Sequence, residues 1–332
     1  MISFFDVFLT VLFLLLLAVP GFLFAKLKMF PKNASETLSV IVLYGCQPVL
    51  IITSFQGCAF HPEIGVNLLL VAGIALAVHL IMFALVKFVF FKWSADDKVK
   101  LVKYLSVFSN CGFMGLPFLQ SLFTDATLQA ELVVYCAAVL AVFNILNWTF
   151  GIYIITGDKK EISAKKVLLN PVIIAVAISL VLFFVVQKPL VELAEVGSVG
   201  YKILTKLMNT LNFLSNMVTP LSMFVIGIRL ANVSVKQLLT DKWAYVSTGM
   251  KLIVMSLITM FLVAFLPIAN TIKYTVFFLF SMPSATSGAM LAVQYGKDSD
   301  FASVSVVLST ICSIITIPLM YLLMNGGLGI AL

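Results

Sequence analysis

Apolar residues run along this chain in long blocks separated by short polar stretches. Ten blocks have about 20 residues or more, the length at which a helix crosses a ~30 Å hydrocarbon core. They lie at approximately 3–25, 36–55, 64–91, 100–123, 128–156, 167–187, 200–230, 243–267, 271–295 and 300–324. The pattern predicts an all-α membrane protein with ten transmembrane helices and almost nothing left over for a soluble domain.

Two blocks are interrupted at mid-depth. The fourth carries Ser109-Asn110-Cys111-Gly112-Phe113-Met114-Gly115-Leu116-Pro117, and the ninth carries Ser281-Met282-Pro283-Ser284-Ala285-Thr286-Ser287-Gly288. Glycine tolerates unusual dihedrals and proline removes a backbone donor, so each block is expected to run as half-helix, extended segment, half-helix. Unwound backbone leaves N–H and C=O groups unpaired in hydrocarbon, and survives only where protein or a water-filled cavity meets them. A pair of broken helices therefore points to a binding site at the bilayer centre, of the kind transporters use.

Composition agrees: 62% of the 332 residues are hydrophobic and 11% charged, and the mean hydropathy is +1.13. That leaves too little polar surface to cover a soluble globule. The first block has Asp6, no preceding cation and no small-residue cleavage pattern, so it is expected to be a retained helix. The five cysteines, Cys46, Cys58, Cys111, Cys136 and Cys312, show no CxxC spacing. No disulfide framework, metal site or cofactor is expected from them.

The net charge of +7 is explained by topology, not by nucleic acid. One set of alternate loops and helix ends holds Lys26, Lys28, Lys32, Lys87, Lys92, Lys98, Lys100, Lys103, Lys159, Lys160, Lys165, Lys166, Arg229, Lys236, Lys242 and Lys297. The opposite set has Lys188, Lys202, Lys206 and Lys273, and Lys251 falls inside the eighth block. By the positive-inside rule the Lys-rich side is cytoplasmic and both termini face out.

Five blocks precede the Lys-rich connection 157–166 and five follow it. An odd number per half requires the halves, 1–156 and 167–332, to be inserted in opposite orientations, a 5+5 inverted repeat. Gln47-Pro48 and Thr219-Pro220 match at an offset of 172, as do His79 and Lys251, while Pro117 and Pro283 are offset by 166.

The half-helix N-termini at the breaks carry roughly +0.5 charge each and free N–H donors, which favours an anion without a formal cation. A carboxylate is the natural ligand. Asn110 adds an amide, and Ser284, Thr286 and Ser287 add hydroxyls that either bind the ligand or satisfy the freed backbone. Gln47, Asn144 and Asn147 face the same cavity or bond between helices. The candidate substrate contacts are thus Asn110, Cys111, Gly112, Met114, Gly115, Pro117, Pro283, Ser284, Thr286, Ser287, Gln47 and Asn144. His79 and Lys251 are candidates for gating or pH sensing. Snorkelling to the cytoplasmic interface is the preferred reading for Lys251, eight residues past Trp243.

None of the 14 carboxylates lies at mid-depth, so a buried Asp/Glu proton relay has no residues to run on. Sodium coupling through neutral oxygens stays open. An enzymatic alternative pairs Ser287, in Ala285-Thr286-Ser287-Gly288, with His79 as an intramembrane serine protease; the first glycine of that motif is absent, and no enzyme is expected.

The segments SNCGFMGLPF and MPSATSGAMLAVQYGKD resemble the auxin efflux carrier family, which includes plant PIN-type auxin exporters and bacterial permeases assigned to malate or malonate. The resemblance covers the whole chain. It implies a fold like those of the bile-acid symporters and sodium/proton antiporters, with crossing helices 4 and 9. It also implies a scaffold of helices 1, 2, 6 and 7, and a transport domain of helices 3–5 and 8–10. In that family substrate sits beside the crossover, and Asn110 matches its carboxylate-contacting Asn. The plant carriers have a long loop between the halves, where this chain has only residues 157–166.

The expectation is a secondary transporter of a small organic anion, such as malate, malonate or an auxin-like acid, in the cytoplasmic membrane, working by an elevator-like movement. The partners are that anion and the bilayer, with no nucleic acid, and a homodimer through the scaffold helices as one arrangement. The alternatives are a sodium-coupled symporter of a bile-acid-like amphipathic anion and, from another class, an anion sensor without net transport.

Overall fold

A computed structural model describes residues 2–328 apart from Lys32, Ala59 and Ala95. Lys32, one of the cations in the charge pattern, and the last four residues therefore lie outside the described residues. The helices are α1 (Phe4–Lys26), α2 (Ala34–Gly57), α3 (Pro62–Val89), α4a (Asp97–Val107), α4b (Cys111–Leu122) and α5 (Ala126–Thr156). They continue as α6 (Pro171–Val186), α7 (Val199–Asn232), α8 (Lys242–Ala264), α9a (Asn270–Ser281), α9b (Ser287–Gln294) and α10 (Ser299–Leu328). No strand occurs among the described residues beyond one isolated bridge.

Seven of these, α1, α2, α3, α5, α7, α8 and α10, are long and apolar enough to cross a membrane. The other three of the ten expected blocks, the fourth, sixth and ninth, are not single spans of that length. The fourth and ninth blocks are each two shorter helices with unwound chain between them. The sixth starts at Pro171, because Asn170 caps it by accepting from Val172 N at 2.9 Å and proline suits a first helical position.

The other helix ends also follow local chemistry. Ser3 and Asp6 form a capping box at the start of α1, with Ser3 N donating to Asp6 Oδ2 at 2.7 Å. Asp96, Asp125, Ser198 and Asp241 each accept from first-turn amides of α4a, α5, α7 and α8.

Small residues let α1 and α7 approach closely. A Cβ built on Gly227 would sit 1.9 Å from the Ala18 carbonyl oxygen, and one on Gly21 would sit 2.5 Å from that of Phe224. Backbone contact of this kind is how helices associate where lipid removes the hydrophobic drive. α2 packs on α6 and α7, while α3, α4a, α5, α8, α9a and α10 contact one another around the breaks.

The outer surface is apolar: Phe88 is 82% exposed and Phe265 80%, among many large exposed side chains. Such a surface suits lipid and not water. At the Lys-rich end, Lys98 pairs with Asp241 at 2.6 Å and Asp97 with Lys297 at 2.7 Å, joining α4a to α8 and to the turn before α10. At the other end Tyr321 OH donates to Ile2 O at 2.6 Å.

Gly227→Ala is expected to destabilise the protein by about 1–3 kcal/mol, since backbone stands where its methyl would go. Gly249→Ala, where a Cβ meets nothing within 4 Å, is the control. Thermal unfolding in one detergent compares the two, and equal midpoints would refute the α1–α7 contact.

Candidate functional site

After Val107 the chain extends through Phe108 (φ −89°, ψ 122°). It then enters a widened π-type turn over Cys111–Gly115 that leads into α4b. After Ser281 it extends through Met282 (φ −63°, ψ 154°) and winds again at Ser287. The two extended segments lie side by side in opposite directions. Asn110 N donates to Pro283 O at 2.8 Å and Ala285 N to Phe108 O at 2.8 Å, a two-bond ladder centred on Ser109 and Ser284. Each break supplies the partners that the other lost, and each such group left bare would cost several kcal/mol.

Ser284 completes the junction. Its N–H donates to Ser309 Oγ at 3.1 Å on α10, and its hydroxyl donates to Leu105 O at 2.8 Å on α4a. Ser284 is therefore used by the backbone. With it, Cys111, Met114, Gly115, Pro117 and Pro283 are buried in the packing behind the breaks and do not border the cavity described next.

In front of the ladder lies a cavity of about 240 Å³. It brings together Gln47 and Tyr44 from α2, Asn110 and Gly112 from the first break, Asn144, Asn147 and Trp148 from α5, Asn170 at the start of α6, and Thr286, Ser287 and Gln294 from the second. Leu140, Phe143 and Met290 give it apolar walls. Gly112 matters for this assembly, because a Cβ there would meet Gln47 Nε2 at 2.8 Å. Widened turns at Ile41–Cys46, Cys111–Gly115 and Asn147–Gly151 border the space, a backbone form frequent at functional sites.

Among the described residues the polar lining consists mainly of amides and hydroxyls, with no carboxylate, histidine or cation. Two amide donors, Asn110 Nδ2 and Gln47 Nε2, are buried without a partner. Asn147 Oδ1 accepts from Tyr104 OH, whose oxygen is 2.8 Å from Ser287 Oγ. With its oxygen occupied, Asn147 has its NH₂ group left to offer. Asn144 is spent differently: Nδ2 donates to Leu140 O at 2.8 Å and Oδ1 accepts from Asn170 Nδ2 at 3.1 Å. Amide donors without a partner thus belong to the lining, and the start of α9b adds partial positive charge. The arrangement can hold an acceptor-rich, negatively charged group.

His79 and Lys251 lie behind the ladder. His79 Nδ1 is 2.8 Å from Ala75 O, and its ring packs edge-on against Phe280 at 5.1 Å. Because a carbonyl only accepts, Nδ1 carries hydrogen. Lys251 is fully buried, and its Nζ donates to Phe280 O at 2.7 Å. Snorkelling is therefore corrected: the ammonium turns inward to the carbonyl-rich C-terminal end of α9a, which carries partial negative charge. Ser287 and His79 form no catalytic couple, since Ser287 bonds Tyr104 and His79 Nε2 has no partner.

Sequence reasoning missed Tyr104, Asn170 and Gln294, and counted Arg229 as a cation of the cytoplasmic end. Arg229 is instead a buried residue of α7, with Nη1 donating to Thr286 O at 2.9 Å. Asn170-Pro171 was a readable helix-start signal; the others depend on contacts distant in sequence.

Lys251→Met is expected to melt at the same temperature as the native protein or higher, because it removes a buried charge that has no acidic partner among the described residues. A fall of several degrees in a thermal melt would instead make the Phe280 bond a structural necessity.

Among curated proteins none matches the chain. The family described as membrane transport protein matches it over residues 6–321. With broken, mutually paired helices inside an apolar multi-helix body, and a match spanning nearly its whole length, the chain belongs to the auxin efflux carrier family of membrane transport proteins.

Proposed function

We propose that this transporter carries a small organic anion, with one carboxylate held at the paired breaks. The observation behind the reading is the pair of buried, unpartnered amide donors, Asn110 Nδ2 and Gln47 Nε2, on two residues that line one cavity. Taking a carboxylate from water is costly, and three or four charge-assisted hydrogen bonds of about 1.5–3 kcal/mol each offset it. Asn110, Gln47, Asn147, Ser287 and the first amides of α9b supply that number. A lining without a cation compensates one negative charge better than two. Monocarboxylates are accordingly the favoured cargo over dicarboxylates of equal size, with Phe143, Leu140 and Trp148 against the apolar body.

In this reading the helices form a 5+5 inverted repeat. α1, α2, α6 and α7 act as scaffold, and the remainder moves as an elevator in the cytoplasmic membrane. The cavity runs from the breaks to Asn170 and Gln294, which neighbour the Lys-rich connections at 165–166 and 297. That end is cytoplasmic by the charge rule, so the conformation is inward-facing. The chain is a carrier, not an enzyme or a sensor; counterflow of a labelled carboxylate into liposomes containing only this protein separates carriage from sensing.

Asn110→Ala is expected to weaken carboxylate binding about tenfold or more. Competition in the counterflow assay measures it, and unchanged affinity would remove Asn110 from the site. Propionate is expected to compete better than malonate; the reverse order would refute the single-charge account. Sodium dependence of the same uptake reports coupling.

A further inference from the structure

Arg229 lies in the last turn of α7 and is 7% exposed. Nη1 is committed to the Thr286 carbonyl, while Nε and Nη2 have no partner. These two N–H groups form the side-on edge of the guanidinium, whose parallel donors grip a carboxylate through two bonds. No acid lies within ion-pair distance of Arg229 among the described residues. A buried cation with two bare donors is costly unless something pairs with it.

What borders Arg229 is a second cavity, of about 280 Å³, on an adjoining face of α9b. The two share Met290. The second cavity differs in chemistry. Its lining is mainly polar, with Asn232, Gln237 and Ser303 as well as Arg229, and it includes the acidic residues Glu36 and Asp300. Both acids are exposed, at the rim. A ligand reaching Arg229 must therefore pass or face two negative groups, which disfavours a dianion such as phosphate and rewards a positive group on the same molecule.

We propose that this cavity binds a small zwitterion of the amino-acid type, its carboxylate on the free edge of Arg229 and its ammonium facing Glu36 and Asp300. The site is separate from the carboxylate site at the breaks and does not depend on it. It takes in α2 through Glu36, α7 through Arg229, α9b through Met290 and α10 through Asp300. Occupancy would tie these elements together and, through the Arg229 bond to Thr286, reach the lining of the first cavity.

Isothermal titration calorimetry on the full detergent-solubilised Asn110→Ala chain, in which carboxylate binding at the breaks is weakened, tests this with glycine, β-alanine and γ-aminobutyrate, against propionate, ethylamine and phosphate. At least one zwitterion is expected to bind, and each single-function probe to bind about tenfold weaker or less. Arg229→Gln should lose the zwitterion by about tenfold or more. The double variant Glu36→Gln, Asp300→Asn changes only exposed side chains, and should reverse the preference towards propionate. Asn110→Ala should leave zwitterion binding unchanged, which separates this site from the one at the breaks. The proposal is overturned by no heat with any zwitterion, or by propionate matching the zwitterions in the Asn110→Ala chain. Full binding in Arg229→Gln, an unchanged preference in the double variant, or loss in Asn110→Ala overturns it equally.

Discussion

A peptide group in hydrocarbon must find a partner within the protein, and the middle of this molecule is arranged around that requirement. Two chain segments unwind at the same place, and neither could do so alone. The ladder from Asn110 to Pro283 and from Ala285 to Phe108 lets each satisfy the other. Once the backbone is settled in this way, the side chains in front of it are free to face a cavity. Those behind it, Ser284, Lys251 and His79, support the ends of the broken helices or pack on them.

The electrostatics follow from the same geometry. Interrupting a helix exposes its termini, so the start of α9b presents positive charge where the end of α9a presents negative. Lys251 meets the negative end from behind and leaves the positive end to the cavity. The first cavity is consequently donor-rich without holding a cation. The buried guanidinium of Arg229 borders a second cavity on an adjoining face of α9b, together with that cavity's acids. One short helix, α9b, separates two polar spaces of different charge character.

Much of this was legible in the sequence, for local reasons. Apolar blocks mark helices because the bilayer sets their length, and Asp96, Asp125 and Asp241 mark starts because they cap. Both breaks were visible because glycine and proline cannot continue a helix in the ordinary way. Asn110, Gly112, Gln47, Asn144, Thr286 and Ser287 were named beforehand and border one cavity. Cys111, Met114, Gly115, Pro117 and Pro283 share the motif but turn into the packing, and only the path of the backbone decides which neighbours face the cavity. Lys251 was misplaced and the burial of Arg229 missed because their partners are main-chain carbonyls of the ninth block, 29 and 57 residues away. Hydropathy cannot report such a partner.

Solid-state NMR offers the most direct test of the account. The best-binding monocarboxylate, labelled with ¹³C at its carboxyl, is bound to protein labelled with ¹⁵N in asparagine side chains. A carbon–nitrogen dipolar coupling of hydrogen-bonded strength is predicted, and the part that comes from Asn110 should be lost in Asn110→Ala, leaving only that of Asn147. A bound carboxylate with no coupling to any asparagine side chain, or with a coupling undiminished in that variant, would contradict the claim that the paired breaks present Asn110 to an anion.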